Sequence, residues 1–390
     1  MSIKGKAYIV GAFEHPTRKA PDTSLAQLHA EVAKGALEDA GLSKDDVDGY
    51  FCAAGDTPGL GAHSFMDYMN LKVRHWDTTD TGGSSYLVHV GHAAEAIAAG
   101  KCNIALITLA GRPRSEGMAT GTAPRAGNPN QPDLQFEFPY APATANMYAM
   151  CAMRHMHEFG TTSEQLAWVK VAASHHAQHN PNAMLREVVT VEEVVNSPMV
   201  TDPLHRLDCC VISDGGGALI VARPEIARTL KRPKVRIIGC GEAHKHVAGG
   251  HIDLTFTGAV RSGAAAFAEA GVTRTDVKYA SIYDSFTITV VMQLEDLGFC
   301  EKGHGGKFVS DGNLISGVGK LPFNTDGGGL CNNHPANRGG MTKVIEAVRQ
   351  LRGEAHPKVQ VSNCDIALAH GTGGSLGTRH GSATVIMERE

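Results

Sequence analysis

Cys331-Asn332-Asn333-His334-Pro335-Ala336-Asn337-Arg338-Gly339-Gly340, followed by Ala369-His370-Gly371-Thr372-Gly373-Gly374, is the part of the chain whose reading decides its fold and chemistry. Each stretch carries a histidine in a glycine-rich setting just outside an apolar element. Glycine permits tight backbone turns and leaves N–H donors exposed. Imidazole is the side chain best placed to move protons near neutral pH. A third stretch, Tyr283-Asp284-Ser285-Phe286, ends an apolar strand-like run and enters a helix. A lone histidine is usually a packing or surface residue. Two in such settings are less expected by chance, and with the strand-end tyrosine they make Tyr283, His334 and His370 the candidate site residues.

Outward from these stretches the chain alternates short apolar runs with helices of small residues, the pattern of an α/β architecture. In the first half, strands are expected at about 6–12, 47–52 and 104–109, and helices from Ser24 to Ala40 and from Gly82 to Gly100. The second of these helices carries Gly91, Ala93, Ala94, Ala96, Ala98 and Ala99, so neighbours can approach it on several sides, as a central buried helix requires. Residues 112–200 are less regular and read as an inserted loop domain with helices at 145–158 and 163–179. Alternation resumes at Asp214, and Arg228 to Lys234 forms a charged connector between halves. The second half repeats the outline, with strands at 235–239, 279–283, 365–369 and 383–387 and helices at 261–271, 286–298 and from about Gly339 to Leu351.

The totals exclude several classes. The chain has 390 residues, 42% hydrophobic and 19% charged, enough for two large units with a substantial core. A net charge of -4 gives no electrostatic reason to expect nucleic acid. No apolar run approaches a membrane helix. Met1-Ser2-Ile3-Lys4-Gly5-Lys6 moves straight into strand-like Tyr8-Ile9-Val10-Gly11 without a signal-peptide pattern, so a cytoplasmic enzyme is expected. Nine scattered cysteines without a CxxC pair argue against a disulfide framework and a zinc ribbon. His155, His157, His175, His176 and His179 lack matching carboxylate or thiolate partners in sequence and are read as solvated surface, so no metal is expected.

The three stretches resemble the active-site loops of the thiolase superfamily. They are most similar to its sterol-carrier-protein branch, and to the thiolase-like aldolases that lack the nucleophilic cysteine. The resemblance implies an α/β thiolase fold, with two similar βαβαβ-type halves forming a layered αβαβα core. Their bounds are 1–230, containing the loop domain of about 112–200, and 231–390. By resemblance His334 is the histidine of a Gly-His-Pro motif that donates to a thioester oxygen, with Asn333 in place of the glycine. Asn337-Arg338-Gly339-Gly340 likewise replaces a more usual Gly-Ala-x-Gly. His370 falls where cysteine-dependent thiolases carry a second cysteine and sterol-carrier-type thiolases a histidine acting as acid/base. Tyr283-Asp284-Ser285-Phe286 resembles His-Asp-Cys-Phe of that branch, whose first residue helps build the oxyanion site. Asp284, Gly371, Gly83 and Ser84 are the expected oxyanion or supporting residues.

The pattern breaks where the nucleophilic cysteine belongs. Counting back from Ala98-Ala99-Gly100 places that position at Gly83, in Asp80-Thr81-Gly82-Gly83-Ser84-Ser85, which holds no sulfur. Ser84 and Ser85 are weak substitutes, because a hydroxyl is far harder to ionise than a thiol. Cys331 is an equally weak candidate for a relocated nucleophile, and Cys102, Cys209 and Cys210 read as packing residues. Without an acyl acceptor the enolate half of thiolase chemistry survives, because aldol cleavage of a β-hydroxyacyl-CoA needs only a base and enolate stabilisation.

Three readings follow. The first is a thiolase-like lyase making or breaking a C–C bond β to a coenzyme A thioester. The second is a 3-oxoacyl-CoA thiolase working by thiolysis. The third is a non-catalytic acyl-CoA-binding or scaffold subunit, disfavoured by the intact Tyr283, His334 and His370. Coenzyme A thioester is expected as substrate rather than a permanent cofactor. The resemblance further implies a homodimer and a small zinc-ribbon/OB-fold partner subunit. Phe136, Phe138, Tyr140, Met147, Met150 and Met153 are equally an apolar acyl pocket or the core of the loop domain.

Overall fold

Ile104–Gly111 and Gly215–Ala222 are buried along their whole length, so both faces of these strands need a cover. The computed structural model, which describes residues 2–53, 61–118, 143–245, 251–335 and 339–390, supplies it with helices on both sides of a mixed sheet. The sheet has nine strands in the order β3-β2-β4-β7-β1-β8-β11-β10-β9. The first-half strands are β1 (Tyr8–Glu14), β2 (Gly49–Phe51), β3 (His75–Asp77), β4 (Ile104–Gly111) and β7 (Gly215–Ala222). A small hairpin, β5 (Met199–Thr201) and β6 (Leu204–His205), lies outside the sheet. The second half supplies β8 (Val235–His244), β9 (Tyr279–Ile282), β10 (Ile366–Gly374) and β11 (His380–Arg389).

Strand order reads outward from the seam as 1-7-4-2-3 on one side and 8-11-10-9 on the other. In both halves the first strand lies at the seam beside the last, which is the duplication inferred from element order. The seam itself is short, with Tyr8 opposite Arg236 and Ile9 opposite Val235.

Two helices fill the space between the inner faces: α3 (Ser85–Ala98) and a later helix (Gly340–Arg352). Leu87, Val90 and Ala94 of α3 and Val344, Ile345 and Val348 of the later helix pack against Ile107, Val221, Ile237 and Val385. The small residues of α3 serve this position: a Cβ on Gly91 would already touch the Cys240 side chain at 3.4 Å. On the outer face of the first half lie α1 (Leu25–Ala40) and α2 (Ala62–Met69), whose Val32, Ala36 and Phe65 cover Val10, Leu106 and Ile220. Ser24 caps α1 by accepting from the Gln27 N–H at 3.1 Å, and Gly41 ends it in the left-handed region at φ 71°.

The outer face of the second half is covered partly by the insertion between β4 and β7. Its helices α4 (Thr144–Phe159) and α5 (Ser163–Ala177) share a core with α8 (Ala259–Ala270) and α9 (Thr287–Asp296). The intervening α6 (Val191–Val195) and α7 (Pro224–Ala227) are short. After α9 come α10 (Gly305–Val309) and α11 (Gly328–Cys331), which makes the Gly340–Arg352 helix α12. The layers are therefore αβαβα.

One sequence expectation changes in a way that matters. The glycine-rich run after His370 is not a loop: β10 continues to Gly374, and His370 sits opposite Thr384 of β11. Glycines extend this strand because other backbone crowds it; a Cβ on Gly373 would overlap the Thr81 carbonyl oxygen.

Candidate active site

Tyr283 leaves the end of β9 with both backbone groups tied: its N–H donates to the His370 carbonyl at 3.0 Å, and its carbonyl accepts from Gln293 Nε2 at 2.8 Å. This aims the phenol at the imidazole of His334, with Tyr283 Oη and His334 Nε2 2.8 Å apart. The Gly339 N–H points at the same phenol oxygen at 3.4 Å. His334 is fixed through its backbone, whose N–H donates to Ser213 Oγ at 3.0 Å, while Ser213 forms a bridge with Pro335.

The pair opens onto a cavity of about 940 Å³ between the two halves of the sheet. One wall is the turn Thr79–Ser84 at the head of α3, another the end of the β10–β11 hairpin, and a third Tyr148 of α4 with Phe286. The last two rings lie 4.4 Å apart. The volume is at the upper end of small-molecule sites, which run to roughly 1,000 Å³.

Gly83 shows why no nucleophile stands there. A Cβ at this position would overlap the Thr372 carbonyl oxygen and Tyr283 Oη, and would lie 2.5 Å from Tyr283 Cζ. The tyrosine thus occupies the room that a residue-83 side chain would need. Its neighbour Gly340 is equally constrained, since a Cβ there would overlap the Gly83 carbonyl oxygen. The N-terminal ends of α3 and α12 consequently meet beside the phenol, bringing their partial positive charge to one place.

Burial drives the acid–base character of the pair. Desolvation pushes His334 down to about 4 against the opposing pull of Asp284, so the imidazole is neutral at physiological pH and able to accept a proton. Its Nδ1 is buried without a partner.

The other candidates fall into place around this dyad. His370 has its ring fully buried and does not line the cavity. Its Nδ1 bonds Thr384 Oγ1 at 2.8 Å, and burial lowers it to about 3. It meets Tyr283 through its carbonyl rather than its ring. Asp284 lies beneath the site as a structural hub: Oδ1 accepts from Lys343 Nζ at 2.6 Å and from the Gly329 N–H at 2.8 Å, and Oδ2 from the Leu330 N–H at 3.1 Å. Gly371 backs onto α3, where a Cβ would stand 3.3 Å from Ser84 Cα. Ser84 lines the cavity, but its hydroxyl points to the Thr81 carbonyl at 2.9 Å. Ser85 donates to the Gly82 carbonyl at 2.7 Å and accepts from the Thr81 N–H at 2.9 Å. Both hydroxyls are absorbed in shaping the turn. Cys331 is fully buried in α11 and does not line the cavity.

Sequence reasoning missed several lining residues. Cys209 and Cys210 both border the cavity, yet desolvation drives both thiols upward, Cys209 to about 12, which suppresses the thiolate. Arg261, Arg379, His244 and Glu242 also line it. Arg379 adopts a left-handed backbone at φ 46°. No local pattern marks them, since Glu242 and His244 come from the end of β8, Arg379 from the turn before β11 and Arg261 from the start of α8.

The expected acyl pocket is placed otherwise. Phe136, Phe138 and Tyr140 lie outside the described residues. Met150 and Met153 are half exposed on α4 (52% and 51%), and the residues of that helix that line the cavity are Thr144 and Tyr148. The histidines read as solvated surface include two buried ones. His155 bonds Glu295 at 3.0 Å and Thr161 at 2.8 Å, and His176 accepts from the Ser316 N–H at 2.9 Å. Among the described residues no three His, Cys, Asp or Glu side chains come together as a metal site.

Residues 241–389 match the thiolase C-terminal domain-like family. The chain is 34% identical over 362 residues to a steroid side-chain-cleaving aldolase of Thermomonospora curvata, covering 90% of this chain and 91% of that protein. It is 33% identical over 367 residues to an acetyl-CoA acetyltransferase of Methanothermobacter thermautotrophicus, covering 92% and 93%. Among solved structures, an Ltp2-ChsH2(DUF35) aldolase superposes with a TM-score of 0.88 at 31% identity, covering 99% of this chain and 98% of that one.

Proposed function

We propose that this chain, which belongs to the thiolase superfamily, is an acyl-CoA C–C lyase that works through an enolate and forms no cysteine acyl-enzyme. The carrying observation is the overlap of a residue-83 side chain with the phenol of Tyr283, together with the 2.8 Å bond from that phenol to His334. Its likeness to a steroid side-chain-cleaving aldolase supports the same reading.

In the cleavage direction, the β-hydroxyl of the substrate gives its proton to Tyr283 Oη as the phenol proton passes to the neutral His334 Nε2. The Cα–Cβ bond breaks, its electron pair forms the enolate of the thioester, and Cβ becomes a ketone or aldehyde. The Gly339 N–H and the helix ends beside it favour the partial negative charge that the phenol oxygen carries while its proton moves to His334 and the substrate's proton replaces it. The proton then returns through the phenol to the α-carbon. Products are a shortened acyl-CoA and a carbonyl compound, with neither free coenzyme A nor a redox partner consumed. In the reverse direction the same groups join them. His370 acts by holding the Tyr283 N–H, and Asp284 by holding the turn before His334.

The 33% identity to an acetyl-CoA acetyltransferase favours thiolysis of a 3-oxoacyl-CoA as the second reading. The high thiol pKa values in the cavity speak against it. Acyl-CoA is the substrate class, in the degradation or assembly of lipid or aromatic acyl groups; the cavity volume suits a bulky acyl group.

A homodimer is supported by β3, which ends the strand order and carries the half-exposed Trp76. The Ltp2-ChsH2(DUF35) likeness supports a small partner subunit. All nine cysteines are free, which suits a reducing cytoplasm. No helix among the described residues is long and apolar enough to cross a membrane.

The test is a panel of matched β-hydroxyacyl-CoA and β-oxoacyl-CoA substrates assayed with and without free coenzyme A, alone and with a co-expressed DUF35 protein. Cleavage of the β-hydroxy compounds without coenzyme A is expected. Turnover confined to β-oxo compounds plus coenzyme A would establish thiolysis instead.

A further inference from the structure

Asn333 stands immediately before His334, where the Gly-His-Pro motif it resembles has glycine, and its backbone is not in the left-handed region that would call for one. Its side chain has a definite job. Nδ2 donates to Glu14 Oε1 at the end of β1, and Oδ1 is left buried with no partner. The amide is thus oriented by Glu14 alone.

Glu14 gathers the whole approach to His334. The same Oε1 accepts from Asn332 Nδ2 at 3.1 Å and from Arg18 Nη2 at 2.5 Å, and Oε2 accepts from Arg349 Nη1 at 2.9 Å. Arg18 then grips Asn332 twice more, through Nη2 to Oδ1 at 2.7 Å and Nε to the carbonyl at 3.2 Å. Asn332 Nδ2 also reaches Asp326 Oδ2 at 2.9 Å. The Glu14 side chain is only 5% exposed between two guanidinium groups, so its charge is compensated and held in place.

We propose that Glu14 is a positioning residue for the reaction: through Asn333 it sets the direction in which His334 meets Tyr283. The anchor comes from the first strand of the first half, while the dyad comes entirely from the second. Its bonds converge on two consecutive residues next to the imidazole, so a shift of the carboxylate is delivered to Nε2 with little slack. Misplacement of a reacting group by about 1 Å can cost on the order of 100-fold in rate.

The proposal rests on the dyad acting as the proton-transfer pair, so its test has one arm that needs no turnover. Glu14→Gln, Asn333→Ala and the double variant are made in the full chain, and ¹⁵N-histidine spectra are recorded, with His334 assigned by signal loss in His334→Asn. Each single variant is expected to shift the His334 Nε2 resonance. On the β-hydroxyacyl-CoA substrate found by the panel, each is expected to lower kcat about 10- to 100-fold with KM within about threefold. The double variant should match the worse single rather than multiply them. An unmoved His334 resonance in both singles overturns the proposal, as does multiplicative loss in the double variant. Should Glu14→Gln not fold, Asn333→Ala decides, since it leaves Glu14 between its arginines. A shifted resonance in a protein with no lyase activity would uphold the anchor while removing the lyase reading.

Discussion

Replacing Tyr283 by Phe removes one oxygen and leaves the ring that fills the space over Gly83. That oxygen bonds His334 Nε2 at 2.8 Å and faces the Gly339 N–H at 3.4 Å. Its loss leaves both ring nitrogens of a buried imidazole without partners, since Nδ1 already has none. An unsatisfied buried polar atom costs about 1–3 kcal/mol, so a stability loss in that range is expected by denaturant unfolding. The kinetic effect is larger. A positioned acid–base group contributes about 10²–10⁴-fold, and here the phenol stands between the substrate hydroxyl and His334, so a kcat loss near 10³-fold is expected. KM should move little, because the phenol acts on the reacting proton more than on the coenzyme A arm. The assay follows carbonyl product and shortened acyl-CoA by chromatography under saturating substrate. A Tyr283→Phe protein within threefold of wild-type kcat would refute the reasoning, because no other described hydroxyl is placed on His334 Nε2.

Three further outcomes follow from the same geometry. The pH–rate profile should keep its rate down to about pH 5 and fall only near 4, because burial holds His334 at about 4 and it accepts protons only while neutral; the measured value belongs to the Tyr283–His334 pair, and an acidic limb near 6.5 would contradict it. Lys343→Met should destabilise the fold by about 3–5 kcal/mol in chemical denaturation, since it strands the fully buried Asp284 carboxylate, and a loss below about 1 kcal/mol would show that pair to be dispensable. Burial and the nearby Asp326 charge raise Glu346 to about 7 from 4.5, so its contribution is fully present below pH 4.5 and lost as pH climbs through 7; the stability of wild type relative to Glu346→Gln should fall by on the order of 3 kcal/mol between pH 4.5 and 8, and a pH-independent difference would contradict the assignment.

What was legible in the sequence followed local rules. Ser24 and Gly41 bracket α1 by capping chemistry, and the run of small residues in α3 marks a helix enclosed between sheets. Tyr283 and His334 were singled out by the residues that flank them, and the structure brings their side chains within 2.8 Å. The direction of the His370 ring was not legible. In Ala367-Leu368-Ala369 both faces of the strand are apolar, so nothing local shows that 368 and 370 look outward while 367 and 369 look toward α3 and α12. The buried state of His155 was available from spacing, since Tyr148, Ala152 and His155 repeat along one face of α4. Glu242 reaches the cavity from β8, Arg379 from the turn before β11 and Arg261 from the first turn of α8, and Glu14 reaches Asn333 across the seam between halves. Single-sequence patterns carry no information about such pairings.

The most direct test of the central claim is acyl trapping. The protein is incubated with labelled acyl-CoA and β-hydroxyacyl-CoA, quenched during turnover, and examined by intact mass and peptide mapping. A lyase with Tyr283 in the place of a nucleophile gives unmodified protein while C–C cleavage proceeds. A stoichiometric acyl adduct that forms and decays with turnover, on Cys209, Cys210, Cys331, Ser84 or Ser85, would contradict it.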